Sequence, residues 1–563
     1  MTDRLQRKFI WITSFIFLFT IGCALIVKSG GDLYLQPAFF HLFARYDFPG
    51  SILLISILFI CFWVTPRIKN SWIDKCLAFL TNHPIKISVF IFLLMAFFAF
   101  FIYHRYPLCM DEYLPYFQSK IFSEGKLWGQ YPPQLIPWLL QPGFFSVFSA
   151  ETGRVVSDYW PGFAILLTPF MKSGIPWILN PLISAGTIFL LFYYSKKILP
   201  DASAGPWVVL LTISSSVFLI NGISFYSMSA HLFFNLVFAI LLLKFSPARL
   251  FCAGMVGSFA LVLNNPIPHI TFVLPWILWL CFKKNRLRNI GILFAGYLPL
   301  TLVLGLGWPW IKLIVAQGVT QVKPDLGIQE KITTAPFAYN HFFSMFFNKL
   351  TILIGTVFRL PGSEMLWARL LGWLKIFAWS LPGLPILAIL GIRFSKGLTH
   401  LQLWGCSAIL TLFVYLFIPF DQGHGWGFRY FHSAWLALPL FSAAFLTWPT
   451  LKNAAVWKKF ICVLSILSII FSCGFRLYQV QEFVSQHLFQ YPVFEKNNNY
   501  ICIMNTGQGY YTEDIVQNDP FLRKRIIILR SVNKEADLEM MQTLFPKAKK
   551  IISSSLYTLW EIE

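Results

Sequence analysis

Long apolar stretches separated by short polar connections run through most of the chain. A transmembrane helix needs about 20 predominantly apolar residues, in a range of roughly 17–25. About thirteen stretches come near this length. They lie near 9–27, 50–65, 87–103, 175–194, 205–221, 225–243, 250–264, 268–282, 289–308, 371–392, 400–419, 431–448 and 460–475. The pattern predicts an all-α polytopic membrane protein with about thirteen transmembrane helices.

Composition narrows the protein class further. The chain has 563 residues, of which 57% are hydrophobic and 12% are charged, and its mean hydropathy is +0.63. A soluble domain carries about 25% charged residues. A single core cannot hide this much apolar surface from water, so a soluble globular protein is excluded. The first stretch lacks a small-residue cleavage site, and we therefore interpret it as a retained anchor.

Lysine and arginine collect in every second connection, beginning with the N-terminus. These connections hold about 20 basic residues and about three acidic ones, the bias that cytoplasmic loops have. We therefore expect a bacterial inner-membrane protein with a cytoplasmic N-terminus. The net charge of +21 then follows mainly from topology. Because the basic residues are scattered between spans, they do not favour nucleic acid as a partner.

This orientation leaves three long polar pieces outside, at 104–174, at 309–370 and from 476 onwards. We predict a transmembrane domain over 1–475, followed by a linker and a small periplasmic α/β domain over 476–563. The patterns in the tail predict three strands and one helix. The strands are Tyr500–Met504, Arg525–Arg530 and Ile551–Trp560, and the helix is Lys534–Phe545.

Two adjacent carboxylates, Asp111 and Glu112, begin the first outer loop. The apolar residues that follow recur at helical spacing and predict a periplasmic amphipathic helix on the membrane surface. Carboxylates at the N-terminal end of a helix are favoured by the helix dipole. They are therefore either candidate functional groups or simply a cap on the helix.

Further motifs follow along the predicted outer face, and together with the Asp-Glu pair they resemble a known family. They are Asp158-Tyr-Trp-Pro-Gly162, Ser227-Met-Ser-Ala-His231, Asn264-Asn-Pro266 and Gly425-Trp-Gly-Phe-Arg-Tyr430. Their order resembles the GT-C superfamily of membrane glycosyltransferases, which includes protein O-mannosyltransferases, aminoarabinose transferases and bacterial dolichyl-phosphate-mannose-type enzymes. In the simplest layout of that family the acidic loop follows the first span, whereas here it follows the third predicted stretch.

The resemblance implies transfer of a sugar from a polyprenyl-phosphate donor to a hydroxyl of a lipid, glycan or protein acceptor, with inversion. In this family a carboxylate on the first outer loop takes the hydroxyl proton, which matches Asp111, with Glu112 as the second candidate. The leaving phosphate needs fixed cations and donors. The candidates are Arg429, Tyr430, His424, Lys331 and Arg359, and Asp158 and His231 are further site candidates.

Each candidate also has a structural interpretation. Arg429 can extend to the interface at the end of a span, and Tyr430 can belong to the aromatic belt. Asp158 can start a helix, and His231 can be a packed polar residue. Lys331 and Arg359 can be solvated loop charges.

No cofactor is indicated with certainty, although a divalent metal is compatible with the family. Asp111, Glu112 and Asp158 supply oxygen ligands of the type that such ions use, but their spacing does not demand a metal. The ten cysteines form no CxxC pair, so neither a zinc site nor a disulfide framework is predicted.

Two other classes remain open at the sequence level. A transporter or lipid flippase would also be polytopic, but such proteins place ionisable residues within the spans. The predicted spans are nearly free of them. A non-catalytic scaffold of the cell envelope would not need Asp111.

Overall fold

The computed structural model describes residues 4–33, 36–140, 146–316, 355, 360–451, 453–495 and 498–562. Among these residues, six helices are long and apolar enough to cross a membrane. A seventh span results if the pair Ala204–Ile213 and Ser216–Ile223, bent by 67°, is counted as one. The six helices are Arg4–Ser29, Ala38–Arg67, Pro84–Phe101, Pro176–Ile198, Arg286–Ala316 and Ala454–Leu488.

Shorter apolar helices of 10–17 residues also belong to the described part of the bundle. They are Gly162–Lys172, Met228–Leu241, Pro247–Leu261, Ile267–Cys281, Thr399–Val414 and Ala437–Thr447. Each of the predicted apolar stretches overlaps helical residues, so the helical class is confirmed. The number of about thirteen membrane crossings stays a prediction.

Two of the predicted spans are broken helices that complete each other's hydrogen bonding. One is the bent pair, and the other consists of Ser363–Ala378 and Leu384–Ile392. The N–H of Val217 donates to the Trp379 carbonyl at 2.9 Å, and the N–H of Leu381 donates to Ser215 Oγ at 2.9 Å. Irregular backbone is tolerated at membrane depth only where protein groups satisfy it.

Three charged side chains are buried inside the bundle, where the sequence had indicated almost none. The Asp47 carboxylate lies 2.8 Å from Lys375 Nζ and 3.0 Å from an Arg476 guanidinium nitrogen. All three side chains are at most 1% exposed. Trp379 Nε1 also donates to Asp47, at 2.6 Å. The sequence did not indicate this cluster because Asp47 and Arg476 lie just outside the predicted stretches, while the helices that contain them extend further.

One helix and a small three-stranded sheet follow the third predicted stretch, in the segment that begins with the Asp-Glu pair. The predicted amphipathic helix forms over Met110–Ser123. Strands Gly129–Gln130 and Ser146–Phe148 flank Arg154–Ser157 in an antiparallel sheet. A further helix, Asn70–Asn82, was not predicted.

The C-terminal residues form a small mixed sheet covered by one helix. In spatial order the strands are Ile526–Arg530, Asn499–Met504, Tyr557–Ile562 and Lys549–Ser553, and the first two are parallel. The helix spans Lys534–Leu544. The single return strand predicted over Ile551–Trp560 is instead a hairpin, whose turn begins after Ser553. The last helix of the bundle continues to Leu488, beyond the predicted end of its span at residue 475.

Candidate active site

Asp111 and Arg429 form an ion pair, although they are far apart in the sequence. Arg429 Nη1 lies 2.7 Å from Asp111 Oδ2. Asp111 is in the first turn of the Met110–Ser123 helix, and Arg429 begins the short 3₁₀ helix Arg429–Ala434. The side chain of Asp111 is 23% exposed and that of Arg429 is 9% exposed. The structure therefore brings together the two leading candidates, and one of them remains accessible.

A tyrosine of the Asp158–Gly162 motif completes the surroundings of Asp111. The Tyr159 hydroxyl donates to Asp111 Oδ1. The last residue of this motif is fixed by a backbone hydrogen bond, in which the Gly162 N–H donates to the Val262 carbonyl at 2.8 Å. A Cβ at Gly162 would meet that oxygen at 2.6 Å, so only glycine allows this approach. Tyr159 was part of a predicted motif but was not predicted as a site residue.

Gln422 shapes the loop that carries Arg429. Its amide oxygen accepts the Arg429 N–H at 2.9 Å, and its amide nitrogen donates to the Gly427 carbonyl at 2.9 Å. The Arg429 guanidinium also donates to the Gln422 carbonyl. The buried Arg429 Nε, in contrast, has no acceptor among the residues that the structure describes. Gln422 was not predicted, because a single glutamine in a glycine-rich loop carries no sequence signal.

His424 bonds to a tyrosine. Its Nδ1 lies 3.1 Å from the Tyr226 hydroxyl, which is also 3.0 Å from Cys109 Sγ. The Arg429 guanidinium lies over the Tyr226 ring, 4.7 Å from its centre. Burial, followed by the charge of Arg429, holds the pKa of His424 well below its usual value. Tyr226 is a site residue that sequence reasoning missed.

Glu112 has surroundings very different from those of its neighbour Asp111. It is fully buried, and its two oxygens accept from the Tyr103 hydroxyl at 2.6 Å and the Leu108 N–H at 2.8 Å. Trp426 Nε1 in turn donates to the Tyr103 hydroxyl at 3.1 Å. Burial raises the pKa of Glu112 to about 8, although these two hydrogen bonds oppose the rise. The buried carboxyl links the loop to the bundle.

Tyr430 packs beside a second arginine. Its ring stacks on that of Tyr415 with centres 4.4 Å apart, and its hydroxyl donates to the Asp421 carbonyl at 2.7 Å. The Arg369 guanidinium lies 5.2 Å from the centre of the Tyr430 ring and donates to the carbonyls of Ile418 and Phe420. Arg369 was not predicted, since it resembles an ordinary charge near the start of a span.

The other predicted residues lie apart from these contacts. Asp158 pairs with Lys312 at 2.6 Å, a cation that sequence reasoning missed. His231 is buried in the Met228–Leu241 helix, and neither of its ring nitrogens has a hydrogen-bond partner among the described residues. Lys331 and Arg359 lie outside the described residues.

The oxygen ligands considered for a metal do not form one cluster. Arg429 and Tyr159 engage Asp111, Tyr103 engages Glu112, and Lys312 engages Asp158. Across the described part of the chain there is no group of three or more His, Cys, Asp or Glu side chains placed to hold a metal ion.

Comparisons with known proteins give similarity only at the level of structure. No protein-family model and no curated protein sequence matches the chain. The chain is similar to a crystal structure of ArnT from Cupriavidus metallidurans bound to undecaprenyl phosphate, with a TM-score of 0.46 and 10% identity over 85% of this chain and 97% of ArnT. For the apo state of the same protein, the TM-score is 0.42 and the identity 10%, over 84% and 97% of the two chains.

Proposed function

We propose that this protein is a membrane glycosyltransferase. It moves a sugar from a polyprenyl-phosphate donor to an acceptor hydroxyl at the outer face of the bacterial inner membrane. The Asp111–Arg429 ion pair carries the proposal, because it joins a partly exposed carboxylate to an almost buried guanidinium at 2.7 Å. A carboxylate can accept a proton, and a guanidinium can hold a phosphate. Both groups lie in segments predicted to be outside.

In the proposed reaction Asp111 is the general base. The acceptor oxygen attacks the anomeric carbon while its proton moves to the Asp111 carboxylate. A new bond joins that oxygen to the sugar, and the bond from the sugar to the phosphate oxygen breaks. Polyprenyl phosphate leaves with the electron pair. Because attack and departure occur on opposite faces of the anomeric carbon, the configuration inverts.

Arg429 is the proposed partner of the departing phosphate. Its guanidinium donates to Asp111 and to the Gln422 carbonyl, while its buried Nε–H has no acceptor among the described residues. A buried donor without a partner is costly, and a phosphate oxygen would relieve that cost. Tyr430 and His424 support the loop in this proposal, through contacts to Asp421 and Tyr226.

A transporter or lipid flippase is the second candidate function. The buried Asp47, Lys375 and Arg476 favour it, since ionisable side chains within spans mark transport pathways in many such proteins. Their charges nevertheless pair with one another and are at most 1% exposed, so no substrate reaches them in this conformation. Uptake of a labelled lipid or sugar into vesicles without a glycosyl product would favour this alternative.

The test of the proposal compares envelope glycans and lipids of a deletion strain with those of its parent by mass spectrometry. We expect the deletion to remove one sugar mass, which also identifies the sugar. Asp111→Asn should insert at the parental level and fail to restore that mass. Asp201→Asn is the matched control, because the Asp201 carboxylate accepts a local backbone N–H. This variant should restore the sugar mass. Restoration by Asp111→Asn would remove Asp111 from the role of base.

A further inference from the structure

The C-terminal sheet domain forms hydrogen bonds with the chain segment on both sides of Asp111. The N–H of Met110 donates to Asp514 Oδ1 at 2.9 Å, and Gln517 Nε2 donates to the Pro107 carbonyl at 2.7 Å. The Tyr113 hydroxyl donates to the Asn518 carbonyl. These contacts bracket Asp111 on both sides. We call residues 514–518 the clamp segment.

The clamp segment is itself tied to the sheet. Asn518 Nδ2 donates to the Ile528 carbonyl at 2.6 Å, and Asn518 Oδ1 accepts the Ile528 N–H at 2.9 Å. Gln517 Nε2 also donates to the Asp514 carbonyl, at 2.9 Å. Ile528 lies in the strand Ile526–Arg530. The position of the clamp segment therefore follows that of a whole folded domain, instead of that of a loose loop.

Asp514 supplies a cap that the helix of Asp111 lacks. The first N–H groups of any helix have no partner within that helix. The N-cap residue of Met110–Ser123 is Cys109, whose side chain makes no capping hydrogen bond. Asp514 accepts one of these N–H groups from another domain, and its carboxylate lies where the helix dipole favours negative charge.

We propose that Asp514 is a positioning residue, which caps the Met110–Ser123 helix from the C-terminal domain and thereby holds Asp111 against Arg429. This inference rests on the proposed function. Met110 immediately precedes Asp111, so a released first turn would shift the Asp111 carboxylate. A displacement of about 1 Å at a reacting group can cost about 100-fold in rate. The C-terminal domain is thus part of the active site's support.

Three variants of the full-length protein separate this role from general docking of the domain. Asp514→Ala removes the acceptor, whereas Asp514→Asn keeps an amide oxygen that can accept the same N–H. Trp138→Phe is the matched control. It removes a different hydrogen bond between the outer loop and the C-terminal domain, from Trp138 Nε1 to Asp537 at 2.8 Å.

The first measurement is hydrogen–deuterium exchange of the peptide covering 106–118, which needs no enzymatic activity. The second is the rate at which the missing sugar mass returns in membranes of the deletion strain. We expect Asp514→Ala to speed exchange and to slow transfer at least 10-fold. In Asp514→Asn and Trp138→Phe, the exchange rate and the transfer rate should both stay within about threefold of those of the parent.

Several outcomes would overturn the inference. Unchanged exchange in Asp514→Ala would mean that Asp514 does not hold the helix, and faster exchange with unchanged transfer would mean that the cap does not position Asp111. Equal damage in Asp514→Asn would assign the effect to charge instead of the hydrogen bond, and equal damage in Trp138→Phe would assign it to domain docking. If the parent protein restores no sugar mass, the proposed function fails, while the exchange data still decide whether Asp514 caps the helix.

Discussion

At the scale of single residues, two neighbouring carboxyl groups have separate roles because their surroundings differ. Asp111 is partly exposed and meets a cation and a phenol. Glu112 is fully buried and meets a phenol and a backbone N–H. Successive residues of a helix point about 100° apart around its axis, so one of the pair can face an accessible site while the other enters the core. This division favours Asp111 as base and Glu112 as an internal brace.

Glu112 makes the stability of the protein depend on pH. With its pKa raised by burial to about 8, the folded protein binds one more proton than the unfolded chain between about pH 4 and 8. The free energy of unfolding therefore falls as pH rises through that range, by up to about 1.4 kcal/mol per pH unit. Glu112→Gln cannot ionise and should escape this loss.

Thermal unfolding of the purified protein in detergent, at intervals from pH 5 to pH 9, measures the effect. We expect the stability of Glu112→Gln, relative to that of the parent, to increase between pH 5 and 8 and to stay constant above pH 8. The comparison isolates Glu112, because Asp514, whose pKa burial raises to about 7, is present in both proteins. A difference that stays constant across the pH range would contradict the prediction.

At the scale of elements, the site depends on close approach between segments that have no regular structure of their own. The Tyr159–Gly162 segment reaches Asp111 on one side and lies against the Val262 carbonyl on the other. The loop before Arg429 is shaped by Gln422 and by Gly425, whose φ of 133° favours glycine. Helices thus carry Asp111 and Arg429, and these short segments bring Tyr159 to Asp111 and hold Arg429 in place.

Gly162→Ala tests this dependence. The added Cβ would lie 2.6 Å from the Val262 carbonyl oxygen, so the segment must shift and carry Tyr159 away from Asp111. We expect a loss of about 1–3 kcal/mol in stability and a clear loss of sugar transfer. Gly291→Ala is the control, since its Cβ would meet nothing within 4 Å. Thermal unfolding measures the loss of stability, and mass spectrometry measures the loss of sugar transfer. Unchanged stability and transfer in Gly162→Ala would contradict the dependence on this close approach.

At the scale of the whole molecule, buried charge ties together helices that are distant in sequence. Asp47, Lys375 and Arg476 come from three separate helices. Trp379 donates a hydrogen bond to Asp47, and the ring centres of Trp379 and Trp426 are 6.0 Å apart. Trp426 then bonds to Tyr103, the partner of Glu112. A continuous set of contacts therefore runs from the buried charges to the loop of Asp111.

Asp47→Asn should destabilise the whole bundle. It leaves two buried cations without their counter-charge, and breaking one partner of a buried ion pair costs about 3–5 kcal/mol. Glu482→Gln is the matched control, because the Arg45–Glu482 pair has side chains 21% and 33% exposed and an exposed pair contributes about 0–1 kcal/mol. Thermal unfolding in detergent compares the two, and equal losses would argue against a special role of the buried charges.

The sequence by itself determined the features that depend on neighbouring residues. The ability to cross a bilayer depends on the length of a continuous apolar stretch, and strands and the amphipathic helix follow from short periodic patterns. The predicted strands Tyr500–Met504 and Arg525–Arg530 and the helix after Met110 accordingly formed close to their expected positions. Asp111 and Arg429 were recognisable because the short motifs that contain them resemble those of a known family.

Only the tertiary structure decided which of these features meet. The pairing of Asp111 with Arg429 and Tyr159, the cap from Asp514 and the buried charges around Asp47 all join residues that are far apart along the chain. The breaks in two predicted spans are likewise compatible with the fold because each break supplies a hydrogen-bond acceptor for a backbone N–H of the other. Such contacts depend on how helices pack, and packing leaves no local periodic signal in the amino-acid sequence.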